Sequence, residues 1–383
     1  MKILISADEH ENQINGVMNS VTTLKKELTN LGHDVRILAL SSDKKSYKKD
    51  NNYYISSVHI PIYPDIRYSF KKKDKYLDEI IEWKPDIVHV NTEFSTWKFA
   101  RMIIEELKIP FVMTCHTVYE DYVKYICFNK KLGKRLIKRL SNKYYKNTDT
   151  LIVPSTKLLE KEKEYGIKCP IKVIPTGIDL KKYQKRISEK DKEKILNKLG
   201  VSNNHKILVT VCRLGAEKNI DELLEYMPDL LDKDPKIQFI IVGDGPHKKN
   251  LVKKVKKLNL EDNVFFTGMI KPNEVYKYYQ LGDIFVSAST SESQGLTYIE
   301  ALANSLPLVC REDECLKDVI KSGINGYTYD DKTEYIHYII DILNDKKLKD
   351  SMKRESYKRS SNFSKETFGK EIEKLYKEVI SKK

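Results

Sequence analysis

The chain has 383 residues and a mass of 44.7 kDa, too long for one ordinary domain and suited to two of roughly 180 residues each. Hydrophobic residues make up 40% and aromatics 10%, which excludes disorder, and 15 Gly and 12 Pro exclude a fibrous or linker-dominated chain. The 69 Lys and Arg exceed the 55 Asp and Glu, and the net charge of +14 implies an anionic partner: nucleic acid, a phosphate ligand or an acidic membrane.

The N-terminus runs from Lys2 through an apolar stretch to Asp8 and Glu9, where acids arrive too soon for a secretory signal. No stretch approaches the roughly 20 apolar residues that a membrane-spanning helix needs. A cytoplasmic location is expected. The six cysteines form no C-x-x-C pair and no zinc-type cluster, so free, mostly buried thiols and no metal site are expected.

In chain order, the first half predicts strands at residues 2–7, 34–40, 86–90, 110–115, 150–153 and 171–174, with helices between them such as 16–31 and 96–107. The second half repeats the rhythm with strands at 206–212, 237–242, 263–267, 283–288 and 306–310. Short apolar runs separated by amphipathic helices indicate parallel strands buried on both faces, with no hairpin alternation. The fold class is therefore α/β, with two doubly wound Rossmann-like domains. A polar stretch at 178–204 marks the boundary, which suggests domains at 1–180 and 181–360. A final amphipathic helix, 361–383, has no sheet of its own and is expected to pack back on the first domain. Tandem doubly wound domains are expected to hold ligand in the crevice between them, at the carboxyl ends of the strands.

The positive charge is concentrated. Lys124 to Lys146 holds nine basic residues and no acid. Leu132, Leu136, Leu140 and Tyr144 recur every fourth residue there, with Ile137 beside them, so the segment reads as a basic amphipathic helix. Two outcomes stay open. Lys131, Lys134, Arg135, Lys138, Arg139 and Lys143 hold an anionic bilayer, or the apolar face packs on the sheet and the charge is only solvated.

The strand at 283–288 leads into Ser289-Thr290-Ser291-Glu292-Ser293-Gln294-Gly295-Leu296-Thr297, and Glu300 follows inside a helix. Gly295 allows close backbone approach. The amides of Gly295, Leu296 and Thr297 would open the helix as an anion site. After the strand at 206–212 come Arg213 and Lys218, cations suited to a diphosphate leaving group.

Arg213 with Glu217-Lys218-Asn219, the Gly243-Asp244-Gly245-Pro246 turn, and Glu292 with Glu300 eight residues on resemble the retaining GT-B glycosyltransferases of family 4. The resemblance implies that Arg213 and Lys218 hold the donor diphosphate and that Glu300 binds the ribose hydroxyls. It implies that Glu292 and the backbone after Gln294 address the transferred sugar and its phosphate, and that Met269 lies by the nucleobase. In the first domain, Asn15-Gly16 stands where the family has two adjacent glycines against the donor phosphate, and Asn tolerates left-handed angles. His116, after the strand at 110–115, is implied to contact the donor sugar and steady the transition state. Together with Gln294-Gly295-Leu296-Thr297 and Tyr63-Pro64, the run His116 to Ile126 resembles the diacylglycerol glucosyltransferases of the family. Tyr119 and Tyr122 would line the acceptor side, and Glu120 or Asp121 would orient a hydroxyl. Core packing is the alternative for the tyrosines.

The resemblance implies transfer of glucose from UDP-glucose to 1,2-diacylglycerol with retention, without metal or cofactor, since UDP-glucose is a donor substrate. The expected partners are a nucleotide-sugar donor, a lipid acceptor and an anionic membrane surface, with the enzyme peripheral on the inner face of the cell membrane. Alternatives are a family 4 transferase with another acceptor, such as an existing glycolipid or a polysaccharide precursor, and a nucleotide-sugar epimerase on the same fold. A nucleic-acid-binding module is disfavoured because the charge is local and no nucleic-acid motif appears.

Overall fold

The structure, a computed structural model, describes residues 1–8, 15–60, 67–119, 130–202 and 205–383. They form two compact units, Met1–Gly177 with Lys365–Lys383, and Ile178–Ser364.

The first unit is built on an eight-stranded sheet. Edge to edge it runs Ile171–Val173, Thr150–Val153, Phe111–Thr114, Ile87–Val90, Lys2–Ser6, Asp34–Leu40, Asn52–Ile55 and Tyr47–Lys49. Ile3, Leu4 and Ile5 are each fully buried, because both faces of the sheet are covered. Leu4, Val88 and Val90 pack on one side with Phe99 and Ile103 of the helix Ser95–Leu107. Ile3 and Ile5 pack on the other with Val21 and Leu24 of the helix Gly16–Asn30. The C-terminal helix Lys365–Ile380 joins that second layer through Phe368, Ile372, Leu375, Tyr376 and Val379. Gly369 lets the two helices meet closely, since a Cβ there would lie 2.7 Å from the Cβ of Glu27.

Two features depart from the expectation of an all-parallel sheet. Tyr47–Lys49 and Asn52–Ile55 form an antiparallel hairpin. Its turn uses Asp50 and Asn51 at φ 48° and 60°, the paired left-handed angles of a tight hairpin turn. A second antiparallel pair joins Val58–His59 and Arg67–Tyr68.

The second unit has six parallel strands in the order Val264–Gly268, Ile237–Val242, Lys206–Val211, Ile284–Ser287, Leu308–Arg311 and Gly326–Tyr329. The edge strand Gly326–Tyr329 was not expected, because its Tyr-rich sequence lacks an aliphatic run. All the strands run one way, so the loops at 212–219, 243–247 and 288–295 all leave from one end of the sheet. Among the described residues, no helix is long and apolar enough to cross a membrane. Among the described residues no disulfide forms: Cys115, Cys310 and Cys315 are buried and Cys169 and Cys212 half-buried, while Cys127 lies outside the described residues.

Candidate functional site

In the second unit, Lys218 closes the short turn Ala216–Lys218, and its Nζ lies 2.5 Å from Glu292 Oε1. Both side chains are only 18% exposed. Burial opposes the ammonium charge, but the Glu292 carboxylate more than offsets it and holds Lys218 above the usual lysine range. Ser289 Oγ donates to the same Glu292 oxygen at 3.0 Å, and Ser291 Oγ donates to the Glu217 carbonyl at 3.3 Å. The loop after one strand is thus tied to the loop after its neighbour. Arg213 is 62% exposed and pairs with Glu217 at 2.5 Å. Neither cation stands alone in the structure. Each has a carboxylate in reach, and for the largely buried Lys218 this matters most, because an unpaired charge out of water is costly.

The Gly243 turn packs against those cations' loop. Gly243 sits at φ 133°, where a Cβ would lie 2.0 Å from the Cys212 carbonyl oxygen. Gly295 sits at φ 74°, and a Cβ there would lie 2.3 Å from the Tyr298 ring. It opens the helix Leu296–Ala303 without a side-chain cap. Gln294 is buried beside it, and Leu296 and Thr297 are half-buried. Glu300 lies one turn further on and is not free. Tyr183 Oη donates to its Oε1 at 2.6 Å and Tyr279 Oη to its Oε2 at 2.7 Å. Burial pushes the Glu300 carboxyl up, and the two hydroxyls oppose the shift. Met269 is 77% exposed, just past the strand Val264–Gly268.

In the first unit, His116 is half-buried and its Nε2–H donates to Asn91 Oδ1 at 2.9 Å. Burial pushes its pKa down to about 4, so the ring is neutral near pH 7. His89 is buried behind it, bonded at 2.6 Å to both Tyr376 Oη and Thr114 Oγ1, and burial pushes it down to about 3. Tyr119 donates to Glu93 at 2.5 Å, and Tyr145 donates to the other Glu93 oxygen at 2.8 Å. Asp8 caps the helix Ser95–Leu107, accepting from the amides of Phe94 at 3.1 Å and Thr96 at 2.7 Å. Glu120, Asp121 and Tyr122 lie outside the described residues, as do Tyr63, Pro64 and His10.

Asn15 departs from its expected role. It sits at φ −148°, extended rather than left-handed, and its side chain accepts from the Met18 amide at 2.8 Å as the cap of Gly16–Asn30. Gly16 is the first residue of that helix, and a Cβ there would meet nothing within 4 Å.

The basic segment forms the helix Lys130–Tyr145. Its inward stripe is Ile137, Ser141 and Tyr145, all buried. The leucines are not inward: Leu132 is 59% exposed, Leu136 49% and Leu140 38%. Lys131, Arg135, Lys138, Arg139 and Lys143 are exposed alongside them. Lys134 is exposed too, and it pairs with Glu164 at 2.5 Å.

Sequence reasoning missed Tyr183, Tyr279, Asn91 and Glu93. The last two follow a predicted strand directly, so the strand-end rule applied to the second half would have found them. The tyrosines carry no local signal, since they lie 117 and 21 residues from Glu300.

Residues 14–182 match the model of Glycosyltransferase Family 4, and residues 191–359 match that of Glycosyl transferases group 1. The chain is 33% identical over 388 aligned positions to the alpha-monoglucosyldiacylglycerol synthase of Streptococcus pneumoniae, covering 99% of this chain and 86% of that one. It is 32% identical to the alpha-monoglucosyldiacylglycerol synthase of Acholeplasma laidlawii, covering 100% and 98%. Among solved structures, HepE of Anabaena in complex with UDP-glucose superposes with a TM-score of 0.74 at 17% identity, covering 99% of this chain and all of that one.

Proposed function

The chain belongs to the family 4 glycosyltransferases with a group 1 C-terminal domain, and from that membership we propose that it moves glucose from UDP-glucose to the free hydroxyl of 1,2-diacylglycerol, with retention at the anomeric carbon. The observation that carries this reading is the one-third identity, over the whole chain, to two proteins named alpha-monoglucosyldiacylglycerol synthase.

The second unit supplies parts suited to the donor. An incoming diphosphate competes with Glu292 for Lys218 and with Glu217 for Arg213, so negative charge that grows on the leaving phosphate meets cations already in place. The amides that follow Gly295 add donors for phosphate, and Glu300 is assigned to the ribose hydroxyls. The acceptor hydroxyl attacks from the face that the diphosphate leaves, and the departing phosphate oxygen takes its proton. His116, neutral near pH 7, is assigned to a hydroxyl of the transferred sugar. On the acceptor side, Tyr119 is held by Glu93.

The helix Lys130–Tyr145 is assigned to an anionic bilayer surface. Its outward leucines and exposed cations support this, since apolar groups that reach solvent beside Lys and Arg suit a headgroup layer. Each cation near such a surface contributes about 1 kcal/mol.

The test is UDP release by the purified protein, with a panel of UDP- and GDP-sugars, in vesicles with and without diacylglycerol, with products identified by mass. A monoglucosylated diacylglycerol formed only from UDP-glucose supports the reading. A sugar converted without acceptor, or transfer only to an existing glycolipid, overturns it. Vesicle binding is read separately: glutamate at Lys134, Arg135, Lys138 and Arg139 should abolish sedimentation with phosphatidylglycerol vesicles, and undiminished binding rejects the surface.

A further inference from the structure

Both oxygens of Glu300 are occupied by tyrosine hydroxyls that come from two different helices, Leu180–Tyr183 and Val275–Tyr279. Tyr279 is fully buried and Tyr183 is 7% exposed. Their rings meet edge to face with centroids 6.4 Å apart. The Tyr279 hydroxyl also lies 3.4 Å from the Thr297 carbonyl, in the first turn of the helix that carries Glu300. A glutamate has three rotatable bonds, and a half-buried carboxylate with no fixed donors would sample several rotamers. Here the packed rings leave the hydroxyls little freedom, so they hold the carboxylate in one plane.

Each carboxylate oxygen has two acceptor directions, and one phenol fills one of them. A second direction remains on each oxygen. Two adjacent hydroxyls of a ribose can donate to that remaining pair side by side, in the geometry that makes bidentate contacts selective. We propose that Tyr183 and Tyr279 are positioning residues that pre-orient Glu300 for the ribose diol of the nucleotide. This rests on the assignment of Glu300 to the ribose. A residue that merely satisfied a buried carboxylate would stabilise the domain without distinguishing one nucleotide from another.

The test measures dissociation constants for UDP and 2′,3′-dideoxy-UDP by calorimetry, in the wild type and in Tyr183→Phe, Tyr279→Phe and Glu300→Gln. Phenylalanine keeps the ring packing and removes only the donor. Each phenylalanine variant should weaken UDP by about threefold to tenfold, the net worth of one ordinary hydrogen bond, and leave dideoxy-UDP within about twofold. The donor KM should rise while kcat at saturation stays nearly constant. Equal weakening of both nucleotides, or of neither, overturns the proposal. Glu300→Gln separates the two levels. If it discriminates between the nucleotides and the tyrosine variants do not, only the positioning role fails. If it does not discriminate, the ribose assignment itself fails. Should Tyr279→Phe fail to fold, Tyr183→Phe decides, because its ring lies at the edge of the core.

Discussion

The ammonium of Lys218 lies 2.5 Å from the carboxylate of Glu292, 74 residues away in sequence, and each side chain is 18% exposed. Removing one member of such a half-buried pair exposes the charge of the other. We expect Glu292→Gln to bind UDP several-fold more tightly than the wild type at low salt, because Lys218 no longer shares its charge. Transfer should fall by about 100-fold, the usual scale for losing one group that acts in the transition state. Titration of UDP at two salt concentrations, alongside steady-state transfer, reads both effects. Weaker UDP binding would contradict the competition between diphosphate and Glu292.

Gly295 tolerates no side chain. Its φ of 74° strains any L-residue, and a Cβ would lie 2.3 Å from the Tyr298 ring. Gly295→Ala should cost about 1–3 kcal/mol of local strain and raise the donor KM by at least tenfold, because the first turn of Leu296–Ala303 must shift. Thermal unfolding and donor kinetics check this. A wild-type KM would show that the loop plays no part in donor binding.

Burial holds His116 near pKa 4, below the working range, and Asn91 offers its Nε2–H a neutral partner. Between pH 5 and pH 8 the wild-type ring therefore stays neutral and adds no inflection to the rate. Asn91→Asp puts a carboxylate against the ring and raises its pKa. The variant should gain an inflection between about pH 6 and pH 8, with activity lost as pH falls through it. A pH profile as flat as the wild type's would separate His116 from the reaction.

Glu162 is 1% exposed, and its Oε2 is buried with no partner among the described residues. Its Oε1 meets only the Cys115 thiol, at 3.6 Å. Burial, with Glu93 adding to it, pushes the carboxyl up to about 7. The folded pKa exceeds the unfolded one, so stability is fully present below about pH 4.5 and is lost as pH rises through 7. Glu162→Gln should match the wild type in melting temperature near pH 5 and exceed it by a few degrees near pH 8.5. Unfolding curves at the two pH values decide the matter. An equal difference at both would place the effect in packing rather than charge.

Much of the fold was legible. The strands predicted at 34–40, 150–153 and 237–242 match Asp34–Leu40, Thr150–Val153 and Ile237–Val242 to the residue, because short apolar runs bounded by polar turns are what a sheet covered on both faces requires. The hairpin at Tyr47–Ile55 was not legible as a strand pair, since Lys48, Lys49 and Asn52 interrupt any apolar alternation. In the basic helix, spacing alone left open whether the leucine stripe meets a bilayer or packs on the sheet. The buried positions are Ile137 and Tyr145, one position round from the stripe, and Tyr145 joins the core on one side of the sheet.

The sequence by itself determined the alternation of strands and helices, the concentration of charge in one helix, and the residue types at the strand ends. These depend on spacing along the chain, which is local. Only the tertiary structure decided that Lys218 meets Glu292, that two tyrosines hold Glu300, that His116 is neutral, and that three leucines of a basic helix face outward. Those facts depend on which distant residues share a neighbourhood and on how much water is excluded there. Desolvation and partner choice follow from packing in three dimensions, and periodicity does not encode them.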